Sequence, residues 1–185
     1  SYTRNNASYG ATTLVPHHFL HEGPVSILSD TAKGGQPVEK RIRGTRLAKA
    51  MARHQKRASA RLIMWRGESG KWCAVRPTHL NDRLSQSSGD TASVKALRTW
   101  NGTLAAFRVA QGAERLTKKM MAEAAAKTLH NTPAIAQKSY IHPDIMSLSD
   151  MPEPDREKRL AFRKGQARAG FRSGERALLA LLNQH

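Results

Sequence analysis

Asn131 and Tyr140 stand nine residues apart in Asn131-Thr132-Pro133-Ala134-Ile135-Ala136-Gln137-Lys138-Ser139-Tyr140, and two more long polar side chains, Lys33 and Arg98, precede them. A tyrosine hydroxyl, with a reference pKa of about 10, is a poor nucleophile at neutral pH, and a phosphodiester repels anions. Attack of a phenol on a nucleic-acid backbone therefore needs cations around the phosphate. Arginine suits this best, because its guanidinium stays protonated and grips two phosphate oxygens, while a lysine can give a proton to the departing oxygen. Taken singly each residue has a plainer reading: a tyrosine packs, a helical arginine faces water, a hairpin lysine is solvated. Their joint order is more specific.

The elements that must position these residues can be read from the pattern. Thr132-Pro133 looks like an N-cap followed by proline at the first helical position. Tyr140 then lies about 10 Å along that helix axis, at about 1.5 Å per residue. Helical side chains lean toward the N-terminus, so the phenol can tip back toward Asn131 and the free N–H groups, a place where an oxyanion could bind. Pro143 should end or bend this helix near Tyr140. Thr91 can cap a longer helix in which Val94, Leu97, Trp100, Leu104 and Phe107 step by three or four, with Arg98 beside that stripe. Thr117 can cap an alanine-rich helix to about Leu129.

Upstream, Ala11 to Val15, Phe19 to His21, Val25 to Ser29 and Gln36 to Ile42 read as strands of a small antiparallel sheet, with Lys33 at a hairpin tip beside Gly34-Gly35. Gly44-Thr45 can start a basic helix from Arg46 to about Arg57, and Leu62 to Trp65 with Lys71 to Val75 form a second hairpin around Gly67-Glu68-Ser69-Gly70. Pro77-Thr78 opens a short helix. Pro152 and Pro154 read as a linker to two basic amphipathic segments, Arg156 to Gln166 and Arg172 to Leu182. The expected fold is α+β, mainly α, with a catalytic domain over 1–150 (sheet, hairpins and basic helix in 1–75, helices in 76–150) and a helical tail, 151–185, of the same domain.

The chain's 185 residues carry 31 Lys+Arg against 14 Asp+Glu, a formal charge of +17. Such an excess repels itself unless a polyanion is near, and nucleic acid is the commonest. From Lys40 to Arg66 there are ten basic residues and no acid. Membrane-surface binding fits less well, since the run lacks a bulky aromatic face, and no stretch reaches the roughly 18 apolar residues of a span. With Cys73 the single cysteine, no internal disulfide forms, and the expected compartment is the reducing cytoplasm, at the nucleoid. His17, His18 and His21 match no zinc spacing, and neighbouring strand histidines face opposite ways, so no metal site is expected. No Walker loop, HExxH or GxSxG motif is present.

Over most of its length the sequence resembles the type IB DNA topoisomerases of the short bacterial and poxvirus-like kind. The residues that carry the likeness are Asn6-Ala7-Ser8-Tyr9-Gly10-Ala11-Thr12-Thr13-Leu14, Ala32-Lys33-Gly34, Lys95-Ala96-Leu97-Arg98-Thr99-Trp100, and Asn131 through Tyr140. The resemblance implies a catalytic fold of the topoisomerase IB and tyrosine-recombinase kind. Tyr140 would attack a phosphate of double-stranded DNA to form a 3′-phosphotyrosyl bond, expelling a 5′-hydroxyl, and the nicked duplex would swivel and be resealed by a monomer without ATP, metal or other cofactor. Lys33 would match the general acid, Arg98 the second arginine, and Asn131 the place where many relatives carry histidine. Lys95 and Lys138 would contact DNA. The family's first arginine would fall upstream of Ser1, as would its clamping domain, so the chain reads as the C-terminal catalytic portion, impaired alone. Two rivals stand beside this reading: a tyrosine recombinase, which usually has histidine where Lys95 stands, and a non-catalytic basic DNA-binding domain.

Overall fold

The computed structural model describes residues 9–22, 25–31, 37–42, 44–56, 61–88, 92–161 and 169–183. They form an α+β architecture, mainly helical, in two compact units, 1–94 and 95–185.

In the first unit, β1 (Phe19–Glu22), β2 (Val25–Thr31) and β3 (Pro37–Arg41) make an antiparallel sheet in that order. Phe19 pairs with Leu28 and Thr31 with Pro37. In β1 Phe19 is buried while Leu20, His21 and Glu22 are exposed, so a single residue of this strand enters the core. Helix α1 (Thr45–Gln55) follows Gly44, whose φ of 111° suits a residue without a side chain. It buries Ala48 and Met51, three residues apart on one face, while Arg46, Lys49 and Arg53 stay in water. Leu14, Phe19, Met51 and Leu62 form the core of this unit. Two polar ties help close it. The Gln55 side-chain amide donates to the carbonyls of Pro16 and Phe19, and Arg61 Nη1 donates to the Thr13 carbonyl at 2.7 Å. A second hairpin, β4 (Met64–Arg66) with β5 (Trp72–Ala74), and helix α2 (Pro77–Ser88) complete it.

The strand expected over 11–15 does not form. The Gly10 N–H instead donates to Thr13 Oγ1 at 2.8 Å, the Gly10 carbonyl accepts from the N–H of Thr13 and Leu14, and a 3-10 turn runs over Pro16–His18. A threonine hydroxyl bonding to nearby backbone and a proline without an N–H together outweigh the strand preference of Thr12, Thr13 and Val15.

The second unit is helical: α3 (Val94–Gly112), α4 (Lys118–Leu129), α5 (Pro133–Tyr140), α6 (Pro143–Met146), a 3-10 turn (Ser147–Asp150), α7 (Glu153–Ala161) and α8 (Glu175–Leu182). Thr117 caps α4, accepting from the Met120 N–H, and Thr132 caps α5, accepting from the Ile135 N–H at 3.3 Å. Leu104 and Phe107 from α3, Met121 from α4, Ile145 and Leu178 are almost wholly buried in one core. The apolar stripe of α3 starts later than its spacing suggests. Val94 and Leu97 are 36% and 49% exposed, and burial sets in from Trp100 onward, where the core residues lie.

The Pro152-Pro154 segment is not a linker. The Pro152 carbonyl accepts from the N–H groups of Asp155 and Arg156, so it opens α7, and Pro154 occupies the first turn, where a missing N–H is harmless. Arg156 is buried rather than solvated, its Nη2 donating to the carbonyls of Ala113 (3.0 Å) and Glu114 (2.6 Å) just past the end of α3. A cation at a helix C-terminus satisfies carbonyls that the helix leaves bare.

Candidate functional site

Two helices of the second unit carry the residues of interest. Arg98 lies in the second turn of α3, and Tyr140 is the last residue of α5. Between them runs α4, whose final residue, Leu129, offers its carbonyl to Arg98 Nη2 at 3.3 Å. The guanidinium carbon of Arg98 sits 4.9 Å from the centre of the Tyr140 ring. A helix end and an aromatic ring thus hold one arginine in place, and among the described residues no carboxylate pairs with it. A cation over the negative face of a phenol is an attractive contact of about 0.5–1 kcal/mol at exposed sites. Among the described residues, the Leu129 carbonyl is the one acceptor that the guanidinium donors meet.

The turn between α4 and α5 brings in Asn131. His130 takes the left-handed conformation (φ 52°) that ends α4, and the Asn131 N–H then donates to the Ala126 carbonyl at 3.0 Å. The Asn131 side-chain Nδ2 is buried and has no hydrogen-bond partner among the described residues. An amide donor stripped of water without an acceptor costs about 1–3 kcal/mol. The sequence order Asn131-Thr132-Pro133 fixes this position: the cap and the proline start α5 at once, and the amide is left at the junction.

Lys95, in the first turn of α3, and Lys138, two residues before Tyr140, are both exposed. Arg98 and Tyr140 are therefore directly in contact, Asn131 sits two residues beyond the carbonyl that Arg98 holds, and the two lysines flank the pair in sequence on the same two helices. Lys33, the expected general acid, lies outside the described residues, as does Thr91. Strands β2 and β3 do pair antiparallel on either side of the segment that contains Lys33. Among the described residues, no group of three His, Cys, Asp or Glu side chains is placed to hold a metal ion, and no helix is long and apolar enough to cross a membrane.

Sequence reasoning passed over the residues that hold α3 from behind. The Trp100 indole N–H donates to Glu175 Oε1 at 2.8 Å, and Arg172 Nε donates to the same oxygen at 2.9 Å while its backbone N–H reaches Oε2 at 2.7 Å. Arg172 Nη1 also donates to Asn101 Oδ1 at 2.8 Å. These bonds to Arg172 and Trp100 hold the Glu175 carboxyl at about 2, below its ordinary 4.5, although burial pushes the other way. The sign in the sequence was a Glu at the start of an apolar helix three residues after an arginine, which reads equally as an exposed pair.

No protein-family model matches the chain, and no curated protein sequence matches it.

Proposed function

We propose that this chain is the catalytic portion of a type IB DNA topoisomerase, in which Tyr140 cleaves one strand of duplex DNA and reseals it. The observation that carries the reading is the Arg98 guanidinium, anchored on the Leu129 carbonyl and lying 4.9 Å from the centre of the Tyr140 ring. A phosphate brought to the phenol would meet a charge that stays protonated and is already oriented, the arrangement that stabilises a phosphorane-like transition state with little reorganisation.

The steps balance without an outside energy source. The phenol oxygen loses its proton to water and bonds to phosphorus, and the bond from phosphorus to the 5′ oxygen breaks. That oxygen leaves with a proton, for which Lys33 is the proposed donor. The 3′-phosphotyrosyl bond keeps the energy of the broken ester, so the 5′-hydroxyl reverses the reaction once the strands have swivelled. Arg98 and the Asn131 amide hold the non-bridging oxygens, and Lys95 and Lys138 contact flanking phosphates. The exposed basic residues of the first unit, among them Arg46, Lys49, Arg53 and Lys56, supply further charge for double-stranded DNA.

The test uses a duplex with a bridging 5′-phosphorothiolate, whose thiolate leaves without a proton, so that a covalent adduct accumulates. The adduct is expected with the wild type, absent with Tyr140→Phe and about 100-fold to 1000-fold slower with Arg98→Ala. An adduct that persists in Tyr140→Phe would overturn the reading, and strand-exchange products without change in linking number would favour a recombinase.

A further inference from the structure

Tyr140 is the last residue of α5, and helix ends are poor places to hold a reactive side chain. The final carbonyls of a helix lack partners within it, and the last turn frays. Something outside α5 must fix this residue if its phenol is to meet phosphorus reproducibly. The structure supplies it on α3, one turn along from Arg98.

Gly102 is buried in the interior of α3, where glycine is worth about 1 kcal/mol less than alanine to helix stability. Its use lies in what touches it. A Cβ built there would collide with the Tyr140 carbonyl oxygen, and would come within 3.2 Å of the Tyr140 Cβ and 3.0 Å of Leu129 Cδ1. Only the absence of a side chain lets the end of α5 rest on the α3 backbone. The next residue, Thr103, is 2% exposed, and its hydroxyl donates to the Tyr140 carbonyl at 3.5 Å and accepts from the His142 N–H at 3.0 Å. The one side chain bridges the backbone on both sides of Ile141, itself buried and extended. Arg98 and Gly102, four apart, share a helix face about 6 Å apart along the axis, at about 1.5 Å per residue.

We propose that Gly102 and Thr103 form a shelf that sets the position of Tyr140 relative to Arg98, making them positioning residues for strand cleavage; the inference rests on the topoisomerase reading for its chemistry. One rigid helix then carries both the cation and the seat of the nucleophile, and their separation does not depend on the fraying end of α5. The shelf acts through the tyrosine backbone, so it governs the rate of attack and not the affinity for DNA.

The test compares Gly102→Ala, Thr103→Val and Thr103→Ser in the intact protein. For each, the single-turnover rate of adduct formation at saturating DNA, the Kd for the same duplex, and the 19F resonance of Tyr140 after 3-fluorotyrosine labelling are measured. The chain has three tyrosines, and Tyr140→Phe assigns the signal. Gly102→Ala should slow adduct formation about 100-fold, as a misplacement near 1 Å does, with Kd unchanged within about twofold and the resonance shifted. Thr103→Val, which keeps the shape and removes the hydroxyl, should slow it about tenfold, and Thr103→Ser should recover the wild-type rate. Thr103→Val also keeps the proposal testable if Gly102→Ala does not fold. Wild-type rates in Gly102→Ala and Thr103→Val, or equal defects in Thr103→Ser and Thr103→Val, would overturn the shelf. A wild type that forms no adduct while its Tyr140 resonance still moves in both variants would sink the cleavage reading and support the shelf as the seat of this side chain.

Discussion

The two units differ more in what they bury than in what they expose. Both present many basic residues to water, but among the described residues 1–94 closes around a core of four buried apolar residues and 95–185 around fifteen. A larger interdigitated core restrains more side chains by close packing than a small one does. Accordingly Arg98, Asn131 and Tyr140 all belong to the heavily packed unit, while the longest basic run, 40–66, belongs to the lightly packed one. On the proposed reading, the arginine, the amide and the nucleophile fall on densely packed helices and the broad basic charge falls where packing is thinner, with Lys33 of the first unit as the exception.

The strongest way to break this contrast is to open a hole in each core. Phe107→Ala should cost about 3–5 kcal/mol, because the surrounding helices cannot close over the space. Phe19→Ala, in a four-residue cluster that relaxes more easily, should cost less. Urea unfolding of the two variants decides it, and an equal or larger loss for Phe19→Ala would mean that the first unit is as firmly packed as the second.

Acid should separate the units at intermediate size. Burial chiefly, with His17 beside it, lowers the pKa of His18 from 6.5 against the opposing pull of Asp30. The unfolded chain therefore takes up that proton first, and this contribution to the first unit is present above about pH 6.5 and fades as pH falls. Glu175 in the second unit is held at about 2 against an ordinary 4.5, so its contribution is complete above 4.5 and is lost between 4.5 and about 2. With Trp65 and Trp72 replaced by Phe, Trp100 fluorescence follows the second unit alone. Glu175→Gln should flatten the acid limb between pH 4.5 and 2; a limb unchanged by that substitution would show that the Glu175 clasp does not stabilise the second unit.

The smallest effect on stability should come from the basic helix. Replacing Arg46, Lys49 and Arg53 by Gln should change folding stability by no more than about 0.5 kcal/mol for each site. Each of the three that neutralises a phosphate should, once replaced, lower the salt slope of DNA binding by about 0.9. A large drop in stability without change in that slope would show that these side chains serve packing.

Sequence alone predicted most of the helical half because its signals are local. Thr117, Thr132 and Pro133 are cap and start residues whose meaning does not depend on distant partners, and the structure uses each as expected. Ala11 to Val15 misled because the bond between Gly10 and Thr13 is a choice of backbone over ladder that strand preference does not register. Pro152 and Pro154 misled for the opposite reason, since prolines that look like a linker also suit the first turn of a helix. At the site, the nearness of Arg98 and Tyr140 was implied by the resemblance, not by their spacing in the chain. The Leu129 carbonyl, the Gly102 approach and the Trp100-Glu175-Arg172 cluster were not foreseeable, because each joins residues far apart in the chain by a geometry that only packing creates. Lys33 lies outside the described residues, and its part rests on the resemblance.

The most direct measurement is peptide mapping of the protein after reaction with the phosphorothiolate duplex and nuclease digestion. If Tyr140 is the nucleophile, a nucleotide remnant is esterified to its oxygen and to no other residue. A remnant on a different side chain, or none on Tyr140 while DNA is still cleaved, would contradict that assignment.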